Sequence, residues 1–276
     1  MRRLPPFGLL GAGLVAAAVA TAVLAPVVAP TTPTRLDLRA RLSPPAWVAG
    51  AKPGHLLGTD NVGRDVLSRV IYGSRISLTV GAAAAVLGML IGSTLGLVAG
   101  YFGRWVDAGV SWLINVQLAF PFTLLAIFLL GTVGGGFGAV VVVLALATWV
   151  NYARIVRGEV LAIRSRDYVL AARAVGVPTG RTLLRYILPN VAGPIVVVAS
   201  FSTAQAILTQ AALSFLGVGI DPSVPSWGAM LNEGRAYLQS AWWIAVFPGL
   251  AIALTVLGAN LLGDWLRDWL DPRSAA

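Results

Sequence analysis

The 276-residue chain has no cysteine, one histidine (His55) and one lysine (Lys52). The lack of cysteine excludes disulfides, thiol catalysis and thiolate metal sites. One histidine and scattered carboxylates make no metal-ligand cluster, so no metal site is expected. Serine chemistry needs a base within hydrogen-bond reach. His55 lies in a loop beside Gly54, and no acidic pair falls inside an apolar run, which sets an intramembrane hydrolase aside. No G-x-x-x-x-G-K-[ST] occurs and Lys52 precedes Pro53, so the chain carries no P-loop and any ATP must be bound by another polypeptide. Charge is scarce too: 11% of residues are charged and 57% apolar, against about a quarter charged in soluble domains.

Six runs contain no Asp, Glu, Lys, Arg or His: roughly 9–29, 76–100, 108–130, 136–153, 190–220 and 241–263. A helix needs about 20 such residues to cross a bilayer. The sequence therefore predicts an all-α polytopic membrane protein with six transmembrane helices and both termini on one side. The first run follows Arg2 and Arg3. It is too long for a signal-peptide core and is expected to stay as a helix. Parity puts the N-tail, Arg104, the 154–189 loop and the C-tail on one face with twelve basic residues, against eight on the other. The positive-inside bias favours that face as the cytoplasmic one. The formal charge of +9 is thus matched to anionic lipid, not nucleic acid.

The chain divides into an N-terminal helix (1–30), a Pro-rich extracytoplasmic connector (31–74), a core (75–264) and a cytoplasmic tail (265–276) expected to lie along the inner surface. Asp65 can start a short amphipathic segment carrying Val66, Val70 and Ile71 ahead of the second span. Within that span Gly88, Gly92, Gly96 and Gly100 share one helix face, a pattern for close helix packing. Pro121 should kink the third span, and residues 131–138 read as a short flexible connector.

Residues 154–189 form an Arg-rich break between apolar runs. Tyr168, Ala171, Ala172 and Val175 recur at i, i+3, i+4 and i+7, on one helix stripe. Gly176 suits a helix C-cap and Pro178 bars continuation. Thr182–Ile187 can form a second segment that Leu188-Pro189 ends before the next span. The residues alone leave two uses open: a docking surface for a soluble partner, or a helix tethered to lipid headgroups by its arginines.

AARAVG at 171–176 followed by ILP at 187–189 resembles the cytoplasmic EAA-type loop of ABC importer permeases, with Leu170 where that family often has Glu. GTDNVGRDVLSRVIYGSRISL (58–78), SFLGVGIDPSVPSWGAML (214–231) and FPGLAIALTVLGANLLGDWLRDWLDPR (247–273) resemble the C-type permeases for dipeptides, oligopeptides and nickel. The resemblance implies a type I ABC importer permease fold in a bacterial or archaeal plasma membrane, the core being the permease domain. It implies no cofactor in this chain itself. ATP and Mg would be bound by two cytoplasmic ATPase subunits, with a second homologous permease completing a heterodimeric pore and an extracytoplasmic binding protein delivering solute. Tyr168, Ala171, Ala172, Val175 and Gly176 would form the coupling helix, within the 164–178 loop.

Polar residues inside the runs have two possible uses, interhelical hydrogen bonds and a translocation lining. The candidates for the path are Asn115, Gln117, Ser202, Gln205 and Thr209, with Asn151 near the end of the fourth run. The rival reading is an ion-gradient-driven secondary transporter acting without an ATPase. A proton-coupled pump usually needs carboxylates or histidines at depth, and none lies inside the six runs. A sodium-coupled carrier escapes that test, but no inverted repeat is evident.

Overall fold

The computed structural model describes residues 6–221 and 223–270; Arg2, Arg3 and the tail from residue 271 onward lie outside the described residues. The described residues are helical apart from loops and one isolated bridge between Thr59 and Asp65. The helices are α1 (Pro6–Val23), α2 (Ala25–Val28), α3 (Val66–Phe102), α4 (Arg104–Ala119), α5 (Phe122–Val133), α6 (Phe137–Ile163), α7 (Asp167–Ala174), α8 (Thr179–Arg181), α9 (Leu188–Phe215), α10 (Trp227–Arg235) and α11 (Trp243–Leu270). A π-helical turn, Thr182–Ile187, joins α8 to α9.

By length and composition four helical stretches can cross a membrane: Val66–Phe102, Phe137–Ile163, Thr179–Phe215 and Trp243–Leu270. Of the six spans expected, the third kinked at Pro121, these account for four, or five if α4 and α5 together make one broken span. The third run bends at Pro121, as expected, but far enough to divide into α4 and α5, set at 88° to each other. Phe120, extended ahead of Pro121, makes the corner, because proline excludes the α conformation from the residue before it. The first run yields an apolar helix, Phe7–Val23, below span length, because the chain breaks at Leu24 and restarts with Pro26 in the first turn of α2.

The α3 helix starts earlier than the connector boundary at residue 74 implies. Asp65 caps it, its carboxylate accepting from Ser68 N at 2.8 Å, and one unbroken 37-residue helix follows. The glycine ladder of α3 lies against α6. A Cβ on Gly96 would stand 2.6 Å from the Ala153 carbonyl oxygen, and one on Gly100 2.7 Å from Val160 Cβ. Gly88 and Gly92 abut Thr148 and the Trp149 carbonyl even more tightly. Without side chains there, two backbones approach closely enough to replace the missing hydrophobic drive in lipid by van der Waals contact.

Leu188-Pro189 does not terminate a separate segment. Proline lacks the N–H that an α-helix needs, and the chain passes through it by widening to π geometry over Thr182–Ile187 before α9 begins. The tail likewise departs from the surface-helix expectation: residues 265–270 continue α11. Trp265 stacks on Trp269 with ring centroids 6.1 Å apart, and the start of α1 packs on Trp265 at Gly8. Residues 131–138 are docked, not free: Gly136 N donates to Gly219 O at 2.9 Å.

Candidate functional site

Three polar assemblies occupy distinct levels of the bundle. The first sits at the start of α3. Asp60 and Arg69 are 0% and 1% exposed. Arg69 Nη1 donates to Asp60 Oδ2 and to Glu233 Oε2, both at 2.6 Å, and Nη2 to Glu233 Oε1 at 3.0 Å. Arg64 bridges the same two carboxylates, Nε to Asp60 Oδ2 at 2.6 Å and Nη2 to Glu233 Oε2 at 2.8 Å. Two positive and two negative groups thus neutralise each other and satisfy their hydrogen bonds, which buried charges require. Beside them His55 Nδ1 meets Asp65 Oδ1 at 3.0 Å. The connector folds over this cluster. Gly63, at φ +82°, lies so close to the Asp37 carbonyl that no side chain fits, and Trp243 Nε1 donates to Thr59 O at 2.9 Å. Trp47 packs edge-on against Phe247.

The second assembly is a cleft of about 550 Å³ between α6 and α9, bordered by Asn151, Arg154, Ser202 and Gln205, with Ile155, Val198 and Phe201. The structure therefore brings together Ser202 and Gln205 of the five path candidates. Thr209 is hydrogen-bonded within its own helix, its hydroxyl donating to Gln205 O at 2.8 Å. Asn115 is exposed on α4, away from the cleft lining. Gln117 is committed to helix packing: its Oε1 accepts from Trp149 Nε1 at 2.6 Å, and its Nε2 donates to the Leu146 carbonyl. An amide placed between helices finds partners there, and this one bonds α6 through both its oxygen and its nitrogen. One turn beyond Arg154, Arg157 makes a fork with Asp107, Nη2 to Oδ2 at 2.7 Å.

The third assembly is α7 with its supports. Val169 is buried in a cluster with Val156, Val160, Ile163, Ile187 and Val191. Ala172 is 7% exposed, whereas Val175 is 80% exposed, and Tyr168, Leu170 and Ala171 are exposed as well. The predicted stripe is therefore split. Val169 and Ala172, three apart, face the bundle, which turns Tyr168, Ala171 and Val175 outward. Gly176 N donates to Arg173 O at 3.0 Å with φ +79°, a left-handed helix stop. Arg173 lies 4.3 Å above the ring of Tyr101, and Arg164 Nη1 donates to Gly100 O at 2.9 Å. Two arginines that could have held lipid headgroups instead tie the loop to the end of α3.

Sequence reasoning did not find the charge cluster or Arg154. Asp60, Arg64 and Arg69 lie in one recognisable block, but Glu233 is far away in the sequence, and Arg154 looked like the first residue of a loop. In the structure Arg154 lies within α6. Among the described residues no group of three or more His, Cys, Asp or Glu could hold a metal ion.

A family model described as "Binding-protein-dependent transport system inner membrane component" matches residues 92–275. The dipeptide transport system permease DppC of Alkalihalophilus pseudofirmus is 42% identical over 234 residues, 85% of this chain and 77% of that protein. DppC of Escherichia coli is 45% identical over 245 residues, 89% and 82% of the two chains. The glutathione transport system permease GsiD of Pectobacterium atrosepticum is 46% identical over 224 residues, 81% and 74%. Among solved structures, inward-facing MetNI methionine ABC transporter matches with a TM-score of 0.59 at 20% identity, covering 74% of this chain and 96% of that one. That likeness shows an importer-permease fold. With two thirds of its length inside one family model and relatives above 40% identity, the chain belongs to the binding-protein-dependent transport system inner membrane components, as a permease and not an enzyme.

Proposed function

We propose that this permease forms half of the translocation pore of an ATP-driven importer of di- or oligopeptides, or of a related small solute such as nickel. A second, homologous permease completes the pore, two ATPases that bind ATP and Mg lie on the cytoplasmic side, and an extracytoplasmic binding protein delivers the solute. The relatives named for dipeptide and glutathione transport support the peptide class.

The observation that carries the coupling role is the combination at α7. The helix presents Tyr168, Ala171 and Val175 on an exposed edge, while Val169 and Ala172 pack on the bundle and Arg164 and Arg173 hold the end of α3. An exposed apolar strip on a rigidly mounted helix suits a cleft in a soluble partner. ATP-driven closure of the two ATPases would then displace α7 together with α3 and α6 as a rigid body. The pore's two access states would be populated according to the ATPases' differential affinity for them.

The test is ATP-dependent uptake of a labelled dipeptide into vesicles holding the complete transporter. Uptake that requires ATP hydrolysis and the binding protein, and that Val175→Asp abolishes together with ATPase co-purification, supports the reading. Uptake driven by an ion gradient with no ATPase present would replace it with a secondary carrier.

A further inference from the structure

The cleft-facing surface of α6 carries a guanidinium that the fold itself does not use. Arg154 has no ion pair and no side-chain hydrogen bond among the described residues, although its neighbour Arg157 is held by Asp107. An unpaired arginine in a helix that can span a membrane is costly unless it faces water or a ligand. Arg154 faces the cleft. Asn151 and Arg154 are three apart on α6, and Ser202 and Gln205 are three apart on α9, so two short polar edges border one space of about 550 Å³. That volume lies within the range of small-molecule sites. Ile155, Val198 and Phe201 supply an apolar wall beside these polar edges.

We propose that Arg154, with Asn151 and Gln205, forms a carboxylate-binding subsite on the translocation path, and that it takes the free carboxylate of the passing solute. One guanidinium fork matches one carboxylate in two parallel hydrogen bonds. The neutral amides can hydrogen-bond the adjoining peptide group without adding charge. The cleft offers a single cation because Arg157 is committed to Asp107, which fits a monoanion better than a phosphate. The inference rests on the importer reading for the identity of the solute.

The chain's lack of cysteine makes the test direct. Ile155→Cys puts one thiol on the cleft wall beside Arg154. The complete transporter is reconstituted in phosphatidylcholine vesicles. An anionic and a cationic thiosulfonate reagent are compared on this chain's band, with rates corrected for their reactivity toward a free thiol. With Arg154 present the anionic reagent should react faster, on the order of tenfold. Arg154→Gln should bring the ratio to one, and Arg154→Lys should keep it. Alanyl-alanine should slow labelling, and its C-terminal amide should not. An unchanged ratio in Arg154→Gln, no protection by alanyl-alanine, or equal protection by acid and amide would overturn the proposal. A ratio that follows the anionic lipid content of the vesicle assigns the cleft to headgroups and overturns it equally. Failure of the importer reading shows elsewhere, as absence of ATP-driven dipeptide uptake by the unmodified transporter, and leaves the reagent ratio unaffected.

Discussion

Arg69 and Glu233, 164 residues apart in the sequence, meet through a two-pronged pair of 2.6 and 3.0 Å that locks the first turns of α3 to α10. Asp60 binds the same guanidinium from the connector. Three separate stretches of chain are thereby held at one charge-neutral point.

Removing one charge there strands its partners. Asp60 is fully buried and serves both arginines, while Glu233 is 20% exposed on its side chain. Asp60→Asn should therefore destabilise by about 3–5 kcal/mol. Glu233→Gln should cost less, because water can reach what it leaves behind. Thermal unfolding in detergent gives the ranking, and trypsin cleavage at Arg35, Arg39 and Arg41 should accelerate in the same order as the connector lifts. Equal effects of the two variants would show that burial does not govern the cluster.

The α3–α6 contact should reject even a methyl group. Gly92→Ala would drive a Cβ into the Trp149 carbonyl, costing about 1–3 kcal/mol as the helices separate. Gly131→Ala is the control, since nothing lies within 4 Å of that position, and its unfolding midpoint should hold or rise slightly. A Gly92→Ala protein as stable as its parent would remove the close-packing account.

Gln117 should behave as a bolt between α4 and α6. Gln117→Ala leaves the Trp149 indole N–H, now bonded at 2.6 Å, without an acceptor, a loss of about 1–3 kcal/mol. Cysteine at position 117 should resist water-soluble thiol reagents in every transport state, whereas cysteine at Gln205 should react. Rapid labelling at 117 would return that residue to the path.

The two faces of α7 should separate fold from coupling. Val175→Asp lies on the exposed side and should leave stability within about 0.5 kcal/mol, while weakening ATPase association about tenfold or more, roughly 1.4 kcal/mol. Ala172→Arg forces a charge into the bundle and should lower the unfolding midpoint before any partner is involved. Co-purification of ATPase at full yield with Val175→Asp would place the contact elsewhere.

Much of this architecture was legible in the sequence because apolar run length and proline position act locally. Asp65 announced the start of α3, and Pro121 the failure of the third run to stay straight. The size of that failure, 88°, was not legible, because the angle depends on what packs on each arm. The orientation of α7 was hidden for a similar reason. A stripe that includes both Ala171 and Ala172 does not say which alanine faces inward, and Val169, outside the stripe, decides it by joining a cluster with Ile187 and Val191. The charge cluster needed Glu233 brought across the molecule. Arg154 and Arg157 read alike as basic residues near a run's end, and only Asp107 tells them apart.

The helix from Val66 to Phe102 runs without a break from the Arg69 ion cluster to the Tyr101 ring beneath Arg173. At 1.5 Å per residue those two fittings are about 48 Å apart. Both fittings are clamped, and the glycines keep the rod flush against its neighbour. If α7 moves as proposed, the unbroken rod offers no joint to absorb the displacement before it reaches the connector.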